Sequence, residues 1–134
     1  MKTTIAETAK ILAVHHRVLR SWLERSPDIE IGDKPAGRIY FALREVVALA
    51  VAHELIDAGY KPQRAIKSAL LTVEACRSQP FTECAAFPLI GDYGQIRIAP
   101  PDTVLQGAIG TKILVGIAPI WADVAKKFAG YARR

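Results

Sequence analysis

The sequence predicts an α+β fold: two short helices, a hairpin and two longer helices, followed by a small C-terminal segment of short strands and a terminal helix. Three observations predict it. A capping signal at Thr4 precedes apolar residues at helical spacing, Gly and Pro punctuate the later apolar stripes, and the composition changes near Ser78-Gln79-Pro80. That change divides the chain into an expected domain over residues 1–77 and a region over residues 78–134.

Thr4-Ile5-Ala6-Glu7 reads as a capping box, in which the Thr4 hydroxyl accepts from the backbone N–H of Glu7 and the Glu7 carboxylate reaches back. Ile5, Ala9 and Leu12 then repeat at helical spacing, so the first helix runs from about Ile5 to Leu12. A second starts near His15 and carries Val18, Leu19, Trp22 and Leu23 as an apolar stripe, with His16, Arg17, Arg20, Ser21 and Glu24 opposite. Two short helices joined by Ala13-Val14 outline a helix-turn-helix.

Pro27 ends the second helix. Ile29 and Ile31 alternate with polar residues, Gly32 to Gly37 turn, and Arg38-Ile39-Tyr40-Phe41 alternates again, predicting a two-stranded hairpin with a basic tip. A helix is expected from about Arg44 to Ala58, closed by a left-handed Gly59, and another from Pro62 to about Cys76. Arg44 and Glu45 are read as surface charges and His53 as a packing histidine. Farther on, Ala86–Ile90 and Gln95–Ile98 flank Gly91-Asp92-Tyr93-Gly94 as a hairpin. Lys112 to Ala118 is a candidate third strand, and Pro119 to Ala129 a helix with Trp121, Val124 and Phe128 on one face. Residues 100–110 give no assignable pattern.

The 134 residues are 51% hydrophobic, with mean hydropathy +0.16, which points to apolar surface buried between subunits. A net charge of +5 suits a polyanionic partner without identifying one. No secretory signal is read at the N-terminus, and Ile113 to Trp121 is too short to span a bilayer, so no membrane role and a reduced cytoplasmic setting are expected.

The ordered residues of the first part resemble the DNA-binding domain of the MerR family. Ile5, Glu7, Ala9 and Lys10 match its first helix, and Val14, Leu19, Arg20, Trp22 and Glu24 its recognition helix. Gly37-Arg38-Ile39-Tyr40 matches its wing, and Glu54-Leu55 to Ala58-Gly59-Tyr60 the helix end that follows. The resemblance covers roughly residues 4–75. Three departures stand out. Ala13 replaces the usual turn glycine, which is tolerable if that residue is not left-handed. His15 replaces a capping Ser or Thr, and the family's long dimerisation helix is missing after residue 75.

The resemblance implies a recognition helix in the major groove of double-stranded DNA and a wing on the backbone. His16, Arg17 and Ser21, with His15, are candidates for base contacts, and Arg20 is assigned chiefly to a phosphate by family analogy. Arg38 and Tyr40 are expected on the backbone, Lys34 toward the minor groove, and Lys2 and Lys10 on further phosphates. The implied function is a bacterial or phage-type, nucleoid-associated transcription regulator that binds as a homodimer through residues 80–134, the Trp121, Val124 and Phe128 face pairing with a second copy. Alternatives are an excisionase-like recombination factor, an antitoxin or other module with a protein partner, and a ligand-sensing C-terminal region.

Cys76 and Cys84 have a spacing similar to the cysteine pair of the family's metal sensors and would suit a soft monovalent metal. There the pair follows the long helix missing here, so two buried thiols are the preferred reading. No cofactor is expected. No catalytic triad, spaced carboxylate pair or zinc-ligand cluster stands out, and Gly107 to Lys112 has the wrong glycine spacing for a phosphate loop, so no enzyme is expected.

Overall fold

The computed structural model describes residues 1–76, 85–88, 96–99 and 115–132. A two-residue strand β1 (Thr3–Thr4) runs directly into helix α1 (Ile5–Leu12). The capping box forms as read: the Thr4 hydroxyl accepts from the Glu7 N–H at 3.2 Å, and Glu7 Oε1 accepts from the Thr4 N–H at 3.0 Å. Helix α2 (His16–Glu24) follows after a tight turn, and strand β2 (Tyr40–Phe41) leads into helices α3 (Leu43–Asp57) and α4 (Pro62–Cys76).

Helix α3 ends as its Gly59 predicts. Gly59 has φ +106°, its N–H donates to the Ile56 carbonyl at 2.9 Å, and the Tyr60 N–H donates to that of Leu55 at 3.0 Å. This is a Schellman closure, which satisfies the last orphan carbonyls of the helix. Helix α1 closes the same way, through Ala13 N–H to Lys10 (3.2 Å) and Val14 N–H to Ala9 (3.0 Å), but with Ala13 at φ 56° and ψ 40°. The condition under which alanine would be tolerable here, a residue that is not left-handed, is therefore not met: the two closing hydrogen bonds hold an alanine where glycine is unstrained.

The hairpin expected between the Ile29–Ile31 and Arg38–Phe41 runs is also corrected. Strand β2 pairs with β1, Thr3 opposite Phe41 and Thr4 opposite Tyr40, while the first run contributes one bridge, between Asp33 and Tyr40. Ile31 is buried in the core instead, and Ile29 packs against it. The chain start takes the ladder because Thr3 is buried and its hydroxyl meets that of Thr8 at 2.8 Å.

The C-terminal region contains strands β3 (Ala85–Pro88), β4 (Ile96–Ala99) and β5 (Val115–Gly116), in the order β4-β3-β5. The two strands of the predicted hairpin pair antiparallel, with Phe87 opposite Arg97, while its turn residues Gly91-Asp92-Tyr93-Gly94 lie outside the described residues, and β5 pairs antiparallel to β3. The third strand is shorter than expected. Its predicted first residues, 112–114, lie outside the described residues, and the stretch turns helical at Ile117. Helix α5 (Ile117–Ala132) carries Pro119 in its first turn, where a missing N–H costs nothing. Residues 100–110, Gly107 to Lys112, Cys84 and the Ser78-Gln79-Pro80 break also lie outside the described residues.

One buried cluster joins Leu19 and Trp22 of α2, Phe41 of β2, Val47 and Leu49 of α3, Ile66 of α4, and Ile117, Val124 and Phe128 of α5. Helix α5 packs on α3, α1 and β1. The α5 face expected to meet a second copy is thus largely covered by its own chain, since Val124 and Phe128 are buried and Trp121 packs against the same core. Val18 is corrected in the opposite sense. Expected in the core, it is 42% exposed, because a helix seated on Leu19 and Trp22 turns Val18 outward.

Candidate nucleic-acid interface

The start of α2 is set by His15. Its extended backbone (φ −70°, ψ 142°) makes it the residue before the helix, and its Nδ1 accepts from the Arg17 N–H at 3.2 Å. The imidazole thus does the work of a capping Ser or Thr. An accepting Nδ1 places the neutral ring's proton on Nε2, leaving a donor at the helix tip. The His15 and His16 rings lie against each other with centroids 4.4 Å apart.

Along the helix His16, Arg17 and Arg20 are exposed, and Ser21 is half-buried. The first turn contains no acidic residue. A helix N-terminus carries partial positive charge, so His16 and Arg17 stand where the helix dipole disfavours cations and favours an anion. The electrostatics of His16 agree: partial desolvation, then repulsion from His15, Arg17 and Arg20, hold its pKa below the usual histidine value. A phosphate brought to this end would relieve the conflict.

The wing rises from the Asp33–Tyr40 bridge, whose two backbone hydrogen bonds are both 2.7 Å long. Its tip is a 3-10 turn, Pro35–Gly37, with Ala36 and Gly37 at positive φ. A side chain at Gly32, at its base, would be strained: φ is +81°, and a Cβ there would stand 2.7 Å from Ile39 Cγ1, so that a neighbour would have to shift. Glu45, expected as a surface charge, is corrected to a clamp. Its Oε1 accepts from the Ala42 N–H at 2.9 Å at the start of α3, and its Oε2 accepts from the Gly32 N–H. Nothing local in the sequence signals the second bond, because the partners are 13 residues apart.

The wing and the helices face each other across an open cleft of about 320 Å³ lined by Thr4, Ile5, Ala6, Arg20, Gly37, Arg38, Ile39 and Tyr40. The structure therefore brings Arg20, Arg38 and Tyr40 to one place, beside the first turn of α1. Lys34 is exposed near the wing tip. Lys2, expected on a phosphate, has its Nζ 2.7 Å from Asp33 Oδ2. That hydrogen bond, and then the lysine charge, lower the Asp33 pKa. Lys10 is exposed in the last turn of α1.

His53 packs as expected, its ring centroid 5.5 Å from that of Trp22. Cys76 is buried at the end of α4. Among the described residues no group of three or more His, Cys, Asp or Glu could hold a metal, and no helix is long and apolar enough to cross a membrane. Lys61, Arg64 and Lys67 are also exposed around the start of α4.

The family model for MerR HTH family regulatory proteins matches residues 3–70. No curated protein matches the chain. The matched span runs from β1 into α4 and includes the helix-turn-helix, the wing and the Glu45 clamp.

Proposed function

The chain belongs to the MerR HTH family, DNA-binding regulators of transcription, and on that premise we propose that it recognises a specific duplex sequence as a homodimer. Helix α2 enters the major groove, with His16, Arg17 and Ser21, and the outward Nε2–H of His15, directed at base edges. Arg20, Arg38 and Tyr40 hold the backbone, and Lys34 extends from the wing toward the minor groove. One observation carries the reading: Arg20 of α2 and Arg38 of the wing line the same open cleft.

Two copies are proposed because one short helix reads too few base pairs to be selective in a genome. Residues 1–77 are the reading domain in this proposal. Residues 78–134 provide dimerisation or an effector or protein-partner surface, using parts other than the buried Val124 and Phe128. The protein would act on the nucleoid, in the cytoplasm.

The test is genome-wide occupancy of the tagged protein beside an Arg17→Ala/Arg20→Ala double variant. Discrete peaks that share an inverted repeat and vanish in the variant are the expected result. Direct tandem repeats near an integration site would replace the dimeric regulator with a recombination factor. No enrichment from well-folded protein would sink sequence-specific binding. On a selected duplex, Arg38→Ala should lower affinity uniformly across sequences and reduce the salt slope by about one unit.

A further inference from the structure

We infer that Val18 reads the C5-methyl group of a thymine in the major groove. This rests on the assignment of α2 as the reading helix and goes beyond it by naming a base and an atom. Among the described residues the exposed large hydrophobic side chains are Met1, Val18 and Leu71, and of these Val18 alone lies on α2. It is in the first turn, its N–H closing on the His15 carbonyl at 2.9 Å. That turn is the end of a recognition helix that meets base edges.

Its exposed neighbours are polar. Arg17 precedes it, and Ser21 lies three residues on, on the same side of the helix. A lone apolar residue on a protein surface usually requires no explanation. Here, however, a β-branched side chain occupies a helical position that leaves it 42% exposed, so it loses rotamer freedom with only partial burial in return. The major-groove edge of thymine would cover the exposed part, since it alone among the four bases presents a methyl group there. Arg17 and Ser21 can hydrogen-bond to neighbouring edges while Val18 covers that methyl.

The experiment uses the full chain. Duplexes are selected from a random-sequence library, and each consensus thymine is replaced singly by deoxyuridine, which removes only the methyl. At one thymine per half-site the wild type should lose about fourfold in affinity, the value of one buried methyl-sized group. Val18→Ala, which keeps only its Cβ, should bind the thymine duplex more weakly and distinguish the two duplexes less than the wild type does. Alanine is the better helix former, so folding is preserved. Val18→Thr keeps a methyl group and should keep the discrimination. A consensus in which every thymine tolerates uracil overturns the inference, as does a Val18→Ala variant that discriminates as fully as the wild type. Failure to obtain any consensus overturns the sequence-specific reading of α2 and this inference with it.

Discussion

Replacing Glu45 by alanine tests whether one carboxylate joins the wing to the helical body. The side chain is half-buried, and its two oxygens accept backbone N–H groups from Ala42 and Gly32. Hydrogen bonds to a charged acceptor contribute about 1.5–3 kcal/mol each when their loss leaves the donor unsatisfied. Water reaches this partly exposed site, so the lower end of that range applies to each bond. The carboxylate also lies in the first turn of α3, where the helix dipole adds about 0.3–1 kcal/mol. The sum is a loss of roughly 3.5 kcal/mol, a large share of a typical domain stability of about 5–15 kcal/mol. Glu45→Gln retains one acceptor oxygen and turns an amide NH2 toward the other N–H, so it should lose at least half as much. Urea unfolding followed by circular dichroism gives both values from the midpoint and slope. A Glu45→Ala protein within about 0.5 kcal/mol of the parent, the range of ordinary surface substitutions, would refute the clamp.

Three further perturbations follow from the same geometry. Ala13→Gly should raise stability by about 0.5 kcal/mol, because relief of the left-handed alanine outweighs the extra freedom of glycine in the unfolded chain; a lower melting temperature would contradict this. Gly32→Ala should destabilise by more than about 1 kcal/mol, since it combines a positive φ with a Cβ 2.7 Å from Ile39 Cγ1, and chemical denaturation would show it. His16, held below its usual value, takes up its proton first in the unfolded chain, so the stability linked to it is complete above about pH 6.5 and declines as the pH falls toward its lowered value. DNA affinity should rise over that same window, because a nearby phosphate favours the charged ring, and His16→Gln should flatten both profiles in pH-dependent melting and fluorescence anisotropy.

Local signals in the sequence were reliable wherever the chain's near neighbours decide the structure. Thr4 and Glu7 announced α1, Gly59 its counterpart at the end of α3, and the alternation around Gly91-Asp92-Tyr93-Gly94 the pairing of β3 with β4. The errors occurred where distant residues decide. Nothing near Tyr40 shows that Thr3 and Thr4 will take its ladder position, and nothing near Glu45 points to Gly32. Val18 was misplaced because an apolar stripe fixes a helix face only to within a residue, and the phase was settled by the burial of Leu19 and Trp22. Arg20, Arg38 and Tyr40 were legible singly through their motifs, but the cleft they share depends on how the wing folds back toward α1.

The β1–β2 ladder has a consequence for how the reading unit opens. Thr3 and Thr4 hold Phe41 and Tyr40 from the other end of the helix-turn-helix, and the Lys2–Asp33 pair repeats the link outside the ladder. Neither the wing nor α1 can therefore detach while the other remains in place. Their amides should exchange with deuterium as one foldon with a shared opening free energy, rather than as a loose loop beside a stable helix. During synthesis the same tie makes the first strand wait for residues made much later, so the reading surface assembles in one late step.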